Sequence, residues 1–344
     1  MRSPSSLLLA AVLALPACGS EPLSFDTGGG GATVTTTAQG GAGGTGGTSG
    51  GATTGGGGAT GSTSSTATET PTPMNNGFPD SWPDGVSCAG VPPITVWAYD
   101  DDTYILRQSL CTHFEGPFLY LLFGEDKVLL QDTGTGNVDV AGAVSGIISD
   151  WLAKKGKASI QLEVTHSHSH GDHTGGDSQF SGLPNTTVVG TSVNQVQGFF
   201  GIDQWPTQVV AHDLGGRVLD IVPIPGHQSA HVAIYDKSRG LLLTGDTLYP
   251  GRLYINNWAQ YVASIQRIAD FVASPDHPVT WVLGTHIEMS TTPGDDYAMG
   301  AKQHPSEHPL QLTKDTLLEL HQAVQDMGNS PQYQVHDDFI VFPL

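Results

Sequence analysis

The chain has 344 residues, 13 basic and 33 acidic, giving a formal net charge of −20 and an apolar fraction of 38%. At roughly 100–200 residues per domain that length allows two domains at most, and no apolar run reaches the ~18 residues needed to span a bilayer. So acidic a chain lacks the basic face that neutralises phosphates, which argues against a nucleic-acid partner.

The first elements are an address and a tether. Arg2 precedes an apolar run from Leu7 to Leu15, followed by Pro16, Ala17 and Cys18. A positive start, a core of about 7–15 apolar residues and small residues before a cut form a secretory signal. The Leu-Pro-Ala-Cys ending resembles the lipobox of bacterial lipoproteins. That resemblance implies residues 1–18 as a signal peptide, with Cys18 lipidated and the protein exported and anchored to a bacterial membrane. An ordinary cut near Ala17 is the alternative. With Cys18 used in this way, Cys88 and Cys111 remain as a pair. In an oxidising compartment they suit a disulfide, while two buried thiols fit the sequence equally well.

Residues 19–77 are low in complexity, with glycine runs at Gly28–Gly31 and Gly55–Gly58 among Thr and Ser. Nothing apolar there offsets the backbone entropy lost on folding, so the composition predicts a disordered tether. About 50 such residues would reach roughly 40 Å.

A folded domain is expected over 78–344. Strand-like runs open it at Ile94–Tyr99, Tyr104–Leu110, Pro117–Phe123 and Lys127–Gln131. The spacing of Val140, Val144, Ile147, Ile148, Trp151 and Leu152 predicts a helix that ends before Gly156. Alternation of Ile160, Leu162 and Val164 predicts a strand over Ser159–Val164. Further strands are expected at Val218–Pro223, His231–Tyr235, Leu241–Leu243 and Val279–Leu283, and helices at Trp258–Val272 and Lys314–Met327. Strand hairpins followed by alternating helices and strands fit an α/β protein whose sheets are covered by helices.

Chemistry concentrates after the Ser159–Val164 strand, where His166, His168, His170 and His173 fall in one short segment with Asp172. In extended chain, side chains two apart share a face, so His168 and His170 can reach one metal together. Gly171 permits a turn, after which Asp172 and His173 can face a second. Imidazole nitrogens and carboxylate oxygens suit Zn²⁺.

The pattern His168-x-His170-x-Asp172-His173, followed by Gly175-Gly176, resembles the signature of the metallo-β-lactamase-fold hydrolases. Pro225-Gly226-His227 resembles that family's third histidine motif. Leu243-Thr244-Gly245-Asp246-Thr247 resembles the motif whose aspartate bridges two metals, and Val282-Leu283-Gly284-Thr285-His286 the final one. The resemblance implies a four-layer αββα fold, with two mixed sheets face to face and helices outside. It implies His168, His170 and His227 at one metal, Asp172, His173 and His286 at the other, and Asp246 between them. Asp132, in Gln131-Asp132-Thr133-Gly134, matches an aspartate that fixes a ligand histidine's tautomer. His166 and His231 are read as neighbours of the ligands. His113, His212, His277, His321 and His336 have no partner pattern, and His304, Glu307 and His308 are candidates to line a substrate pocket.

The implied function is a dinuclear zinc hydrolase. Two metals about 3.5–4 Å apart, bridged by hydroxide, supply a nucleophile at neutral pH. Asp246 and Asp172 are the catalytic carboxylates, one bridging the pair and the other orienting the nucleophile. True β-lactamases of the family carry cysteine or serine at the bridging position, whereas this chain has Asp246. His170 stands where the flavin-linked di-iron members have glutamate, and the acidic charge disfavours the nucleic-acid branches. Esters, thioesters and lactones of small molecules remain, as in glyoxalase II and the lactonases. The alternatives are a mononuclear iron persulfide dioxygenase, with iron in place of two Zn²⁺, and a metal-bound surface module without turnover. Tyr249 and Tyr254, after Asp246, are read as core residues, with an oxyanion hydrogen bond as the other role.

Overall fold

A computed structural model describes residues 77–344. The signal, Cys18 and the tether as far as residue 76 lie outside the described residues. Gly77, the last residue assigned to the tether, accepts a hydrogen bond from the Trp97 indole at 2.9 Å. Among the described residues, no helix is long and apolar enough to cross a membrane.

The first half of the fold contains β1 (Ile94–Asp100), β2 (Thr103–Gln108), β3 (Phe118–Phe123), β4 (Lys127–Gln131) and α1 (Val140–Lys155). Then come β5 (Gln161–Thr165), the short turns α2 (Gly171–Thr174) and α3 (Asp177–Phe180), β6 (Thr186–Val188) and α4 (Val193–Phe200). These strands form a six-stranded sheet in the order β1-β2-β3-β4-β5-β6, antiparallel as far as β4 and parallel from there on. The second half contains β7 (Val210–Asp213), β8 (Val218–Pro223), β9 (Val232–Asp236), β10 (Leu241–Gly245), β11 (Arg252–Ile255) and α5 (Trp258–Ala273). It ends with β12 (Trp281–Gly284), β13 (Gln311–Leu312), α6 (Lys314–Met327), β14 (Gln334–Val335) and β15 (Ile340–Pro343). The second six-stranded sheet runs β13-β12-β10-β9-β8-β7, and a small sheet runs β11-β15-β14.

Side-chain alternation on individual strands builds the layers. In β3, Phe118, Tyr120 and Leu122 join one core cluster with Leu219, Ile221, Ile234 and Leu243 of the second sheet. Their neighbours Leu119, Leu121 and Phe123 turn the other way, onto Val144, Ile147 and Trp151 of α1. On the second sheet, Val222, Ala233, Tyr235 and Leu242 face away from the first sheet, onto Ile265, Ile268, Leu317 and Leu320 of α5 and α6. Strands covered on both faces read as near-continuous apolar runs, which is why β3 and β10 carry so little polarity. The result is the expected arrangement, two mixed sheets packed face to face with helices outside.

Local signals agree with the boundaries. Asp139 caps α1 by accepting from the Gly142 N–H, and Gly156 ends it in the left-handed region at φ 66°. The fold holds several elements beyond the predicted ones. Among them, α4 carries a full capping box between Ser192 and Gln195, a signal that was there to be used. By contrast, β11 and β15 pair in parallel across nearly ninety residues, which no local pattern announces. Cys88 and Cys111 are joined in a disulfide, so of the two readings the crosslink is the one found.

Candidate metal centre

The strand ends converge on one edge of the sandwich. Parallel strands β4 and β5 deliver Asp132 and the segment from His166 to His173. In the second sheet, β8 and β10 both run antiparallel to β9, and β12 runs parallel to β10. Their ends therefore present His227, Asp246 and His286 on the same side. Gly245, at φ 53°, makes the bend before Asp246, where any Cβ would strike His231 and Ser167.

Two groups form there. In the first, His168 Nε2 lies 3.0 Å from His170 Nδ1, and His227 Nε2 lies 3.2 Å and 3.0 Å from those same atoms. Asp246 Oδ2 approaches His168 and His227 at 3.7 Å and 3.5 Å. In the second, Asp172 Oδ2 lies 3.2 Å from His173 Nε2 and 3.3 Å from His286 Nε2. Asp246 turns its other oxygen, Oδ1, to this group, at 3.5 Å from His173 and 3.4 Å from His286. One carboxylate thus gives one oxygen to each group.

The outer nitrogens are anchored so that the inner ones face the groups. His227 Nδ1 donates to the Tyr254 carbonyl at 2.6 Å, and His286 Nδ1 to the Glu115 carbonyl at 3.0 Å. His173 Nδ1 donates to Asp132 Oδ2 at 2.9 Å. A carbonyl or carboxylate oxygen accepts only, so each of these Nδ1 atoms carries a hydrogen and the neutral ring leaves Nε2 as a lone pair. Asp132 sits at φ 70°, a left-handed conformation that Asp tolerates better than most residues. It also accepts from the Ser167 N–H at 2.7 Å and the Ser167 hydroxyl at 2.8 Å.

The donor set fits cations. Three imidazole nitrogens pointing at one another cannot all be satisfied by hydrogen bonds among themselves. His173 Nε2 is buried and has no hydrogen-bond partner among the described residues. Burial depresses His168 and His227, which favours their neutral, ligating form. For His173 and His286 burial acts the same way, but Asp246 and Asp172 outweigh it and push His286 up to about 10. Burial would raise Asp246, yet the surrounding histidines hold it well below the usual carboxylate range. Among the described residues no lysine or arginine lines the cavity of about 380 Å³ over these groups, so only imidazoles balance Asp172 and Asp246.

The family described as the metallo-beta-lactamase superfamily matches residues 115–283. The chain carries a metallo-β-lactamase superfamily domain. It is 29% identical to the hydroxyacylglutathione hydrolase of Aeromonas hydrophila over 47% of this chain and 59% of that one. It is 26% identical to the acyl-coenzyme A thioesterase MBLAC2 of Homo sapiens over 54% of this chain and 75% of that one. The chain thus spans well under two thirds of the bacterial relative. A solved metallo-beta-lactamase from Pontibacter korlensis is 16% identical, with a TM-score of 0.45 over 68% of this chain and 99% of that one. The curated relatives named here are both hydrolases.

Within this metallo-β-lactamase domain, the remaining predicted residues take distinct places. His166 is buried and turns to Asp177 at 2.7 Å, away from both groups. His231 stacks on His168 with centroids 4.7 Å apart and joins neither group. His212 pairs with Glu163 at 2.6 Å. His304 does line a cavity, a smaller one of about 270 Å³ beside the centre. Glu307 instead holds the buried Arg107 through two hydrogen bonds of 2.5 and 2.6 Å. Glu307 and His308 line a larger cavity of about 660 Å³ that contains none of the seven grouped residues. Tyr249 is buried and donates to the Arg252 carbonyl, the packing role expected of it. Tyr254 lines both the centre's cavity and the smaller one. Glu115, Asn256 and Glu288 also line the centre's cavity and were not foreseen, since each lies outside any motif.

Proposed function

We propose that the domain is a dinuclear zinc hydrolase that cleaves an ester, thioester or lactone of a small molecule. The observation that carries this reading is Asp246, with one oxygen toward each histidine group. His168, His170 and His227 would hold one ion and Asp172, His173 and His286 the other, with Asp246 shared. Zinc bound there supplies a Lewis acid for the carbonyl oxygen and lowers the pKa of water toward neutrality. Asp172, lining the cavity and held ionised by its two histidines despite burial, accepts a hydrogen bond from the attacking water and orients it. The buried walls fix the imidazoles, so little reorganisation is needed during the reaction.

The N-terminal pattern supports export with lipidation at Cys18, and the Cys88–Cys111 disulfide suits an oxidising compartment. Mass analysis of the mature N-terminus tests this. For the chemistry, the test is elemental analysis of protein purified without added metal, followed by thioester and lactone assays. The expected result is two zinc ions per chain with turnover abolished by a chelator. One iron with thiol-dependent oxygen uptake would replace the hydrolase by the dioxygenase. Metal without turnover would leave a binding module.

A further inference from the structure

The smaller cavity opens beside the metal centre, and Glu115, Tyr254 and Glu288 line both. A substrate whose carbonyl lay over the histidine groups would have room for its remaining part in this second space. Apart from Arg252 and His304, its other walls are apolar or aromatic, including Phe114, Ile287 and the exposed Met299.

The charges of this cavity are unequal in availability. Among the described residues Arg252 is the one lysine or arginine that lines it, and all three guanidinium nitrogens are engaged. Nε donates to the Tyr254 hydroxyl at 2.8 Å, and Nη1 to Asp296 at 2.6 Å and the Tyr297 carbonyl at 2.6 Å. Nη2 pairs with Glu288 at 3.2 Å. His304 is likewise occupied, by Glu307 at 3.0 Å and the Ala301 carbonyl at 3.2 Å. Lys302 is exposed and lines neither cavity. The Glu115 carboxylate is different. It has no hydrogen bond or ion pair among the described residues, belongs to neither metal-ligand group and is partly buried. Unlike Glu288, which Arg252 holds, it is open to a cation bound beside it.

We infer that Glu115 is a specificity-determining residue and that the smaller cavity takes a cationic nitrogen group, such as an ammonium, in the leaving portion of the substrate. Phe114 and Tyr254 line the same cavity as the carboxylate, and aromatic rings beside a carboxylate are the combination that recognises alkylammonium groups. An anionic leaving group, such as that of a glutathione or coenzyme A thioester, would meet Glu115 and Glu288 in the smaller cavity, whose lining arginine is already paired and whose walls include none of the seven grouped residues. This inference rests on the hydrolase reading for the position of the carbonyl. In the reaction, water adds to the carbonyl carbon, the C–S or C–O bond breaks, and the thiol or alcohol leaves with a proton.

Two measurements on the zinc-loaded full chain test it. Calorimetric binding compares choline, its neutral isostere 3,3-dimethylbutan-1-ol, and glutathione, for the wild type and for Glu115→Gln. Choline should bind about tenfold tighter than the isostere, glutathione more weakly than choline, and the choline preference should vanish in Glu115→Gln. A preference that survives in that variant would place the cation elsewhere, for example in the larger cavity, which Asp80 and Asp84 also line, and overturn the assignment. Equal affinities in the wild type, or glutathione binding tightest, would overturn it without any variant. Turnover then compares acetylthiocholine with S-acetylglutathione by kcat/KM, with acetylthiocholine expected to be the better substrate. Choline binding without turnover of either thioester, or of any ester or lactone in the same assays, would sink the hydrolase reading and leave the pocket standing. Turnover without a cationic preference would do the reverse.

Discussion

The carboxylate of Asp132 holds Nδ1 of His173 at 2.9 Å, and both side chains are fully buried. Asp132 is the terminal residue of no motif ligand set, yet it decides which nitrogen of His173 faces the second group. Asn at this position has one acceptor oxygen for three donors. Asp132→Asn should weaken metal binding at the second group by about 10–100-fold, read by competitive zinc titration. Unchanged affinity there would show that His173 keeps its orientation without the carboxylate.

Asp246 is the sole residue common to both groups. Asp246→Ala should leave the fold intact by circular dichroism, lose one metal per chain and reduce kcat by roughly 10³-fold or more. Retention of both metals would remove Asp246 from the bridging position.

Metal uptake at the second group should release protons. In the metal-free protein Asp246 and Asp172 overcome burial and raise His286 to about 10, so its ring is protonated at neutral pH. The sign follows from linkage. A raised histidine stabilises the metal-free fold fully below its unfolded value of about 6.5, and that contribution is lost as pH climbs toward 10. Zinc competes with the same proton, so affinity at this group should rise across that window. Calorimetry in buffers of different ionisation enthalpy measures the protons released, and a buffer-independent enthalpy at pH 7 would contradict this.

The Cys88–Cys111 disulfide closes a sequence separation of 23 residues. On chain-entropy grounds, replacing both by serine should cost about 3 kcal/mol of stability. Denaturant unfolding of the double variant measures it. The same crosslink joins the loop before Glu115, so a fall in metal affinity at His286 would show that it also steadies the Glu115 carbonyl.

What the sequence determined by itself was the part of the centre set by local geometry. His168, His170, Asp172 and His173 follow one strand and one turn, so their spacing alone places them together, and the order of strand hairpins followed by alternating helices and strands foretold sheets covered by helices. The distant ligands were reachable only through family resemblance, because nothing local to His227 or His286 says that their strands end on one edge. Tertiary structure alone decided the rest. The Tyr254 and Glu115 carbonyls that orient two histidines are backbone atoms, which carry no signature in a sequence. Whether Arg252 is free or occupied, and Glu115 paired or alone, depends on residues tens of positions away. Ligand identity is a property of side chains in order along the chain, whereas availability for binding depends on what folding has already paired.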